Sequence, residues 1–198
     1  TRLGEYIDLC HKHGMTTMLV TNGTLPKVIE NLDTLPTQLY VSVDAPNKTV
    51  FDDICKPKWN QGAWEKFEQT IDLMPSLDTR TVCRHTLIKG KNMSHEHIHE
   101  FAELDNRADP DYIEAKGYVH VGHSQENLAA SNMPSHEDIM AFSHEIAPLT
   151  NRQVLDESRP SRVALIGTEI IPIQVPEAEM YFPEDLGIAP PVKHLPVI

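Results

Sequence analysis

The most informative residues for chemistry are polar and charged side chains at alternate positions of otherwise apolar runs. Successive side chains of a β-strand point to opposite faces, so Tyr40, Ser42 and Asp44 share one face while Leu39, Val41 and Val43 share the other. The same count groups Arg80, Arg84 and Thr86 in a second run, and Glu114, Lys116 and Tyr118 in a third. Buried parallel strands ordinarily read as unbroken apolar runs because helices cover both faces. An interior holding Ser42, Asp44, two arginines, Glu114 and Lys116 is therefore either an ion-pair network or a binding site. In the network, Glu114 would compensate Lys116, or Asp44 would compensate Arg84. The site is favoured by location, since barrels and open α/β sheets bind substrates at the C-terminal ends of their parallel strands. Thr21-Asn22-Gly23 also falls at a strand end, either as a plain Asn-Gly turn or as part of the same wall.

Other reactive side chains point to less. His95, His97 and His99 with Glu96 and Glu100 look rich in metal ligands, but only the i, i+4 pair His95 and His99 would share a helix face, and no metal site is expected. The three cysteines, Cys10, Cys55 and Cys83, are too far apart in sequence for a paired zinc or cluster motif, and their odd number argues against a disulfide framework. Cys83 falls on the strand face opposite Arg84, where burial against a helix is expected.

The elements that must position these residues alternate between helix and strand. Leu3, Tyr6, Ile7 and Cys10 form one helical stripe that ends at Gly14, and Thr16 to Val20 reads as a strand. Pro26 opens a helix with Val28, Ile29 and Leu32. Leu39 to Asp44 is the next strand, followed by a long loop through Pro46 and Pro57 and a helix carrying Trp64, Phe67, Ile71 and Met74. Thr79 to Ile88 is a strand; Ile98, Phe101 and Ala102 mark a helix that ends before Pro110; and Tyr112 to Val121 is a strand. Ser135 and Asp138 form a capping box for a helix bearing Ile139, Phe142 and Ile146, and Arg162 to Ile166 is the last strand. Five strands joined by four crossovers predict a parallel sheet, as a barrel or an open doubly wound sheet.

The length suits one domain. No apolar run approaches the ~20 residues needed to span a membrane, and the opening at Thr1, without a leader pattern, reads as a piece cut from a longer chain. The cysteine usage fits a reducing cytoplasm. A formal net charge of −12 repels polyanions over most of the surface, so any nucleic-acid contact has to come from a local basic patch. From Thr168 onward, prolines at 172, 176, 183, 190, 191 and 196 accompany Glu169, Glu177, Glu179, Glu184 and Asp185. This gives residues 1–167 as the domain and 168–198 as a Pro-rich acidic tail, with Ile170, Ile171, Ile173 and Val175 as an alternative edge strand.

The segments LVTNGTLP, YVSVDAP, CRHTLIKGKN, EAKGYVHVGHS and NMPSHEDI, in this order and spacing, resemble the wyosine-forming branch of the radical S-adenosylmethionine family from Thr1 to Ile166. The resemblance implies an α/β fold, a partial parallel (β/α) barrel of the radical S-adenosylmethionine type missing its first strands. It also implies a lyase-type, tRNA-modifying reaction. A four-iron four-sulfur cluster held by a CxxxCxxC loop cleaves S-adenosylmethionine, the radical attacks the methyl group of N1-methylguanosine in tRNA(Phe), and two carbons of pyruvate close a third ring, as in wybutosine biosynthesis. No CxxxCxxC occurs in this sequence. The cluster cysteines, a Gly-Glu-Pro turn, a second cluster and a pyruvate-binding lysine are expected upstream of Thr1, so this chain by itself is expected to be inactive.

Carried over by position, Asn22 would help hold the methionine part of the cofactor, Ser42 and Asp44 would meet the ribose, and Arg84 would neutralise the methionine carboxylate. Lys116 is the candidate catalytic or pyruvate contact. For tRNA, the patch is Lys89 and Lys91 with His120, His123 and Ser124. Further implied partners are pyruvate and an electron donor such as a flavodoxin or ferredoxin, with no membrane and a monomer when full length. The alternatives are a radical S-adenosylmethionine enzyme with another substrate, or a cluster-free barrel that binds RNA or serves as a scaffold.

Overall fold

A computed structural model describes residues 2–57 and 61–179. Six strands form a single sheet in the order β1-β2-β3-β4-β6-β5. They are β1 (Met18–Thr21), β2 (Gln38–Ser42), β3 (Arg80–Leu87), β4 (Tyr112–Gly117), β5 (Gln153–Ser158) and β6 (Val163–Gly167). Strands β1 to β4 are mutually parallel, whereas β6 runs antiparallel to both β4 and β5. The helices are α1 (Leu3–Lys12), α2 (Pro26–Glu30), α3 (Lys48–Ile54), α4 (Ala63–Leu73), α5 (His95–Ala108) and α6 (His136–Leu149). The architecture is an α/β partial barrel.

Four elements differ from the sequence expectation. The stretch between Pro46 and Pro57 is not all loop: Asn47 accepts a hydrogen bond from the Val50 amide at 3.0 Å and caps the short α3, which buries Phe51 in the core. The strand beginning at Tyr112 stops at Gly117 rather than Val121, because the chain then turns and the Val121 amide bonds back to the Val119 carbonyl at 2.9 Å. The last strand, expected to be parallel, is antiparallel. The fifth crossover strand is β5, which had no recognisable pattern because its solvent-facing Asp156 and Glu157 interrupt the apolar run beside a bulge between Val154 and Asp156. A turn with Arg162 at φ 50° folds the chain back, and β6 slots between β4 and β5. Residues 168–179 form no strand, so the edge-strand alternative for Ile170 to Val175 does not occur; residues 180–198 of the tail lie outside the described residues.

The helices cover one face of the sheet. Leu39, Val41, Val43, Cys83, Leu87, Ile113 and Ala115 turn toward Phe67, Phe101, Ile139 and Ile146 and are essentially solvent-free. Each such Val, Leu, Ile or Phe side chain contributes roughly 1.5–3 kcal/mol when fully buried. Gly23, at φ +69°, turns the chain after β1 where a Cβ would approach Phe67 and Val41 to 3.1 and 3.3 Å, and its carbonyl accepts from the buried Thr70 hydroxyl at 2.6 Å.

The opposite face is organised in rows set by strand register. Val20, Tyr40, Val82, Tyr112 and Gly167 stand side by side; next come Ser42, Arg84, Glu114 and Leu165; last come Thr86, Lys116 and Val163. The first row is largely apolar, and its Tyr40, Val82 and Tyr112 pack together with Leu165 of the second row. The second and third rows, nearer the C-terminal ends of β2 to β4, carry the polar residues.

Candidate functional site

Arg84 and Glu114, neighbours across β3 and β4, form an ion pair with Nε 2.8 Å from Oε1, and Nη2 donates to Oε2 at 3.4 Å. The guanidinium lies 4.7 Å above the centre of the Tyr40 ring, a favourable cation–π arrangement. Burial and the nearby Glu114 charge push the Tyr40 hydroxyl above its ordinary pKa. Compensation exists, as the network reading required, but it joins Arg84 to Glu114 rather than Arg84 to Asp44 or Glu114 to Lys116. Among the described residues, Lys116 has no carboxylate partner and Ser42 has no side-chain hydrogen bond; both are half-buried.

Asp44 follows β2 and reaches the level of the third row. Burial pushes its carboxyl above the ordinary value of 3.8, opposed by hydrogen bonds from the side chain and backbone of Thr86 and by the charges of His85 and Arg84. Its Oδ1 is buried without a hydrogen-bond partner. A buried carboxylate oxygen lacking a donor is costly, so this atom is an acceptor ready for a donor brought by a ligand. With the Ser42 hydroxyl on the same face, this donor set suits the hydroxyls of a sugar.

Asn22 sits in the turn after β1, where its Oδ1 accepts from the Thr24 amide at 3.1 Å and the Thr24 hydroxyl at 2.8 Å. It is therefore both turn former and exposed side chain. Lys89 and Lys91 in the loop after β3 are already paired, with Asp138 and Asp53 respectively, each at 2.8 Å. Beyond β4, the Tyr118 hydroxyl donates to Ser124 Oγ at 2.9 Å and lies 3.1 Å from His120 Nδ1, and Ser124 donates to the Val121 carbonyl at 2.6 Å. His123 is fully exposed beside Glu126. His120, Ser124 and Tyr118 thus form one cluster, while the two lysines belong to other contacts.

Two features escaped the sequence reading. Asn92 is fully buried: its Oδ1 accepts from the Ile88 amide at 2.7 Å, and its Nδ2 donates to the carbonyls of Asp44 and Thr86, each at 2.9 Å. The only sequence signal was an Asn at the end of a strand-terminal loop. On the helix side, His85 and Asp105 are both solvent-free and 3.0 Å apart, with His85 stacked on Phe101 at 4.5 Å. His85 alternates with Arg84 in β3, so only the packed helix reveals its partner.

Among the described residues, no three His, Cys, Asp or Glu side chains are placed to hold an ion; His95 and His99 lie with ring centres 4.7 Å apart, and His95 contacts Glu145. Cys10 and Cys83 are buried and Cys55 is exposed, with burial holding the Cys83 thiol well above its ordinary pKa. These residues do not fit an iron–sulfur cluster.

Comparison with known proteins converges on one group. The family model for wyosine base formation matches residues 107–168. The S-adenosyl-L-methionine-dependent tRNA 4-demethylwyosine synthase of Pyrococcus horikoshii is 42% identical over 168 residues, covering 83% of this chain and 48% of that protein. The chain belongs to the wyosine base formation family. The corresponding synthases of Methanocaldococcus jannaschii and Mus musculus are 40% and 35% identical over 167 residues, covering 84% and 83% of this chain but 51% and 23% of theirs. The chain thus spans about half, or less, of the length of these wyosine-family relatives. A solved structure of TYW1 with a lysine-pyruvate adduct bound superposes with a TM-score of 0.75 at 37% identity, covering 84% of this chain and 52% of that one. A domain of a pyruvate-formate lyase-activating enzyme from Bacteroides vulgatus, at 17% identity and TM-score 0.50, shares the fold alone. A match covering 83% of 198 residues necessarily includes residues 42–118, so the polar rows lie within the segment shared with the wyosine family.

Proposed function

We propose that this chain forms the cofactor- and substrate-binding walls of a tRNA-modifying, lyase-type enzyme that converts N1-methylguanosine in tRNA(Phe) and pyruvate to 4-demethylwyosine in the cytoplasm. The supporting observation is the 42% identity over 168 residues to a named synthase, in a segment that includes the polar strand ends. In this reading Asp44 and Ser42 receive the ribose hydroxyls of S-adenosylmethionine, since Asp44 Oδ1 is buried and lacks a donor. Arg84, held by Glu114 and Tyr40, faces the methionine carboxylate with its remaining N–H groups, and Asn22 borders the same end. Lys116, without an acidic partner among the described residues, is the amine available to pyruvate or base. Bound together, a four-iron four-sulfur cluster and S-adenosylmethionine would supply the radical that attacks the N-methyl group; the cluster ligands are not in this chain, and a flavodoxin or ferredoxin would supply the electron.

For tRNA, we assign phosphate contacts to Lys89 and Lys91 and hydrogen bonding to His120, His123 and Ser124. Both lysines must exchange a carboxylate for a phosphate, which makes this affinity weak and salt-sensitive. The test is to express the gene carrying this sequence with its native flanks, reconstitute it anaerobically with iron and sulfide, and supply tRNA(Phe), pyruvate and S-adenosylmethionine. The expected products are 5′-deoxyadenosine and a tricyclic guanosine on the tRNA. Formation of neither overturns the reading.

A further inference from the structure

We propose that Asn92 is a positioning residue for Asp44, setting the carboxylate to recognise the 2′,3′-diol of a ribonucleoside; this rests on the reading of Asp44 as a ribose contact. The hydrogen-bonded part of β2 ends at Ser42, so two residues later no ladder bond defines the direction of Asp44. The last parallel contact is the Val43 amide to the Arg84 carbonyl at 2.8 Å. Beyond it the Asn92 side chain joins the ends of β2 and β3. Asn92 Nδ2 spans the carbonyls of Asp44 and Thr86 at 2.9 Å each, using both of its protons. Its Oδ1 is anchored in turn by the Ile88 amide at 2.7 Å, so the clamp belongs to β3 and its following loop.

The clamp acts on the two residues that set the carboxylate. Asn92 fixes the main chain of Asp44 against that of Thr86, its neighbour on β3, so the carboxylate leaves the strand end in a set direction. Its Oδ1 is buried and without a donor. A carboxylate with an open buried oxygen accepts well from adjacent hydroxyls, and its selectivity depends on orientation. Asn92 itself is solvent-free and behind the strand ends, so it acts through Asp44 and Thr86 rather than by touching ligand. Asp, as a carboxylate, has no donor for either carbonyl, Ser is too short to span two strands, and Gln overfills a solvent-free site.

The experiment is equilibrium dialysis of the full chain against S-adenosylhomocysteine and its 2′-deoxyribose analogue. The parent chain is expected to prefer the ribose form by about tenfold, the scale of one good hydrogen bond to a charged acceptor. Asp44→Ala is expected to abolish that preference. Asn92→Ala is expected to reduce it to about twofold or less, and Asn92→Ala added to Asp44→Ala should change nothing further, because a residue acting through Asp44 has no effect once Asp44 is gone. Ile146→Val, a core change away from the site, should leave the preference intact. Absence of a ribose preference in the parent chain removes the ribose reading and this inference with it. A preference abolished by Asp44→Ala but kept by Asn92→Ala overturns the inference alone, as does a further fall in S-adenosylhomocysteine affinity when Asn92→Ala is added to Asp44→Ala. Should Asn92→Ala not fold, Asn92→Ser is read by the same criteria, and failure of both to fold makes Asn92 a fold determinant and refutes the positioning role.

Discussion

Asp44 and Arg84 show how single residues at this sheet end are stabilised or strained. Asp44 titrates above 3.8 in the folded chain because burial disfavours its charge. The folded state therefore binds this proton more tightly than the unfolded chain, and the stability this contributes is present below 3.8 and lost as the pH rises through the raised value. Asp44→Asn, which removes the charge, is expected to melt above the parent chain at neutral pH, with the gain shrinking as the pH is lowered toward 3.8 in parallel thermal scans. The same substitution should weaken nucleoside binding, the usual exchange of stability for function at a site. Arg84 poses the opposite case. Its side chain is 22% exposed and that of Glu114 13%, so Arg84→Met leaves a mostly buried carboxylate unpaired. Allowing for the partial exposure, we expect a loss of about 1–2 kcal/mol in urea unfolding, most of it recovered when Glu114→Gln is added.

Among the elements, α6 carries the clearest local signature. Ser135 accepts from the Asp138 amide at 3.1 Å while Asp138 accepts from the Ser135 amide at 2.9 Å, a reciprocal box that was legible as Ser and Asp three residues apart. Ser135→Ala should destabilise the chain by about 1 kcal/mol, read as a lower urea midpoint with an unchanged slope. Asp138 also pairs with Lys89, which ties the helix start to the loop after β3. That second role had no sequence signal, because the partners are 49 residues apart. The short α3 was missed for a related reason: seven residues give too few apolar positions to establish a period, and what identifies it is the Asn47 cap together with the burial of Phe51.

Across the whole molecule, the segment after β6 crosses back beneath the sheet. The Ile171 amide donates to the Tyr112 hydroxyl at 2.7 Å, its carbonyl accepts from Arg80, and the Glu179 amide donates to the Lys12 carbonyl at 2.8 Å. Composition alone made this stretch a solvated tail; long-range backbone partners give residues 168–179 a defined path. Tyr112→Phe removes the acceptor for Ile171 while keeping the ring in the Tyr40, Val82 and Leu165 cluster. Hydrogen exchange at the Ile171 amide should rise by about fivefold, equivalent to roughly 1 kcal/mol, with core amides of β3 unchanged. Equal acceleration in β3 would mean that the hydroxyl supports the sheet as a whole.

The sequence by itself determined which residues share a face. Strand alternation is a local property with a period of two, so Ser42, Asp44, Arg84, Glu114 and Lys116 could be assigned to one side before any fold was known. It also determined most helices, whose stripes and caps lie within a few residues. Pairing was decided only in three dimensions. Which carboxylate Arg84 meets depends on the register of β3 against β4, which puts Glu114 beside it and leaves Lys116 without an acidic neighbour among the described residues. The antiparallel insertion of β6 and the reach of Asn92 across two strand ends are likewise tertiary. Each depends on groups far apart in sequence brought together by the sheet, and no local pattern of residues encodes such a distance.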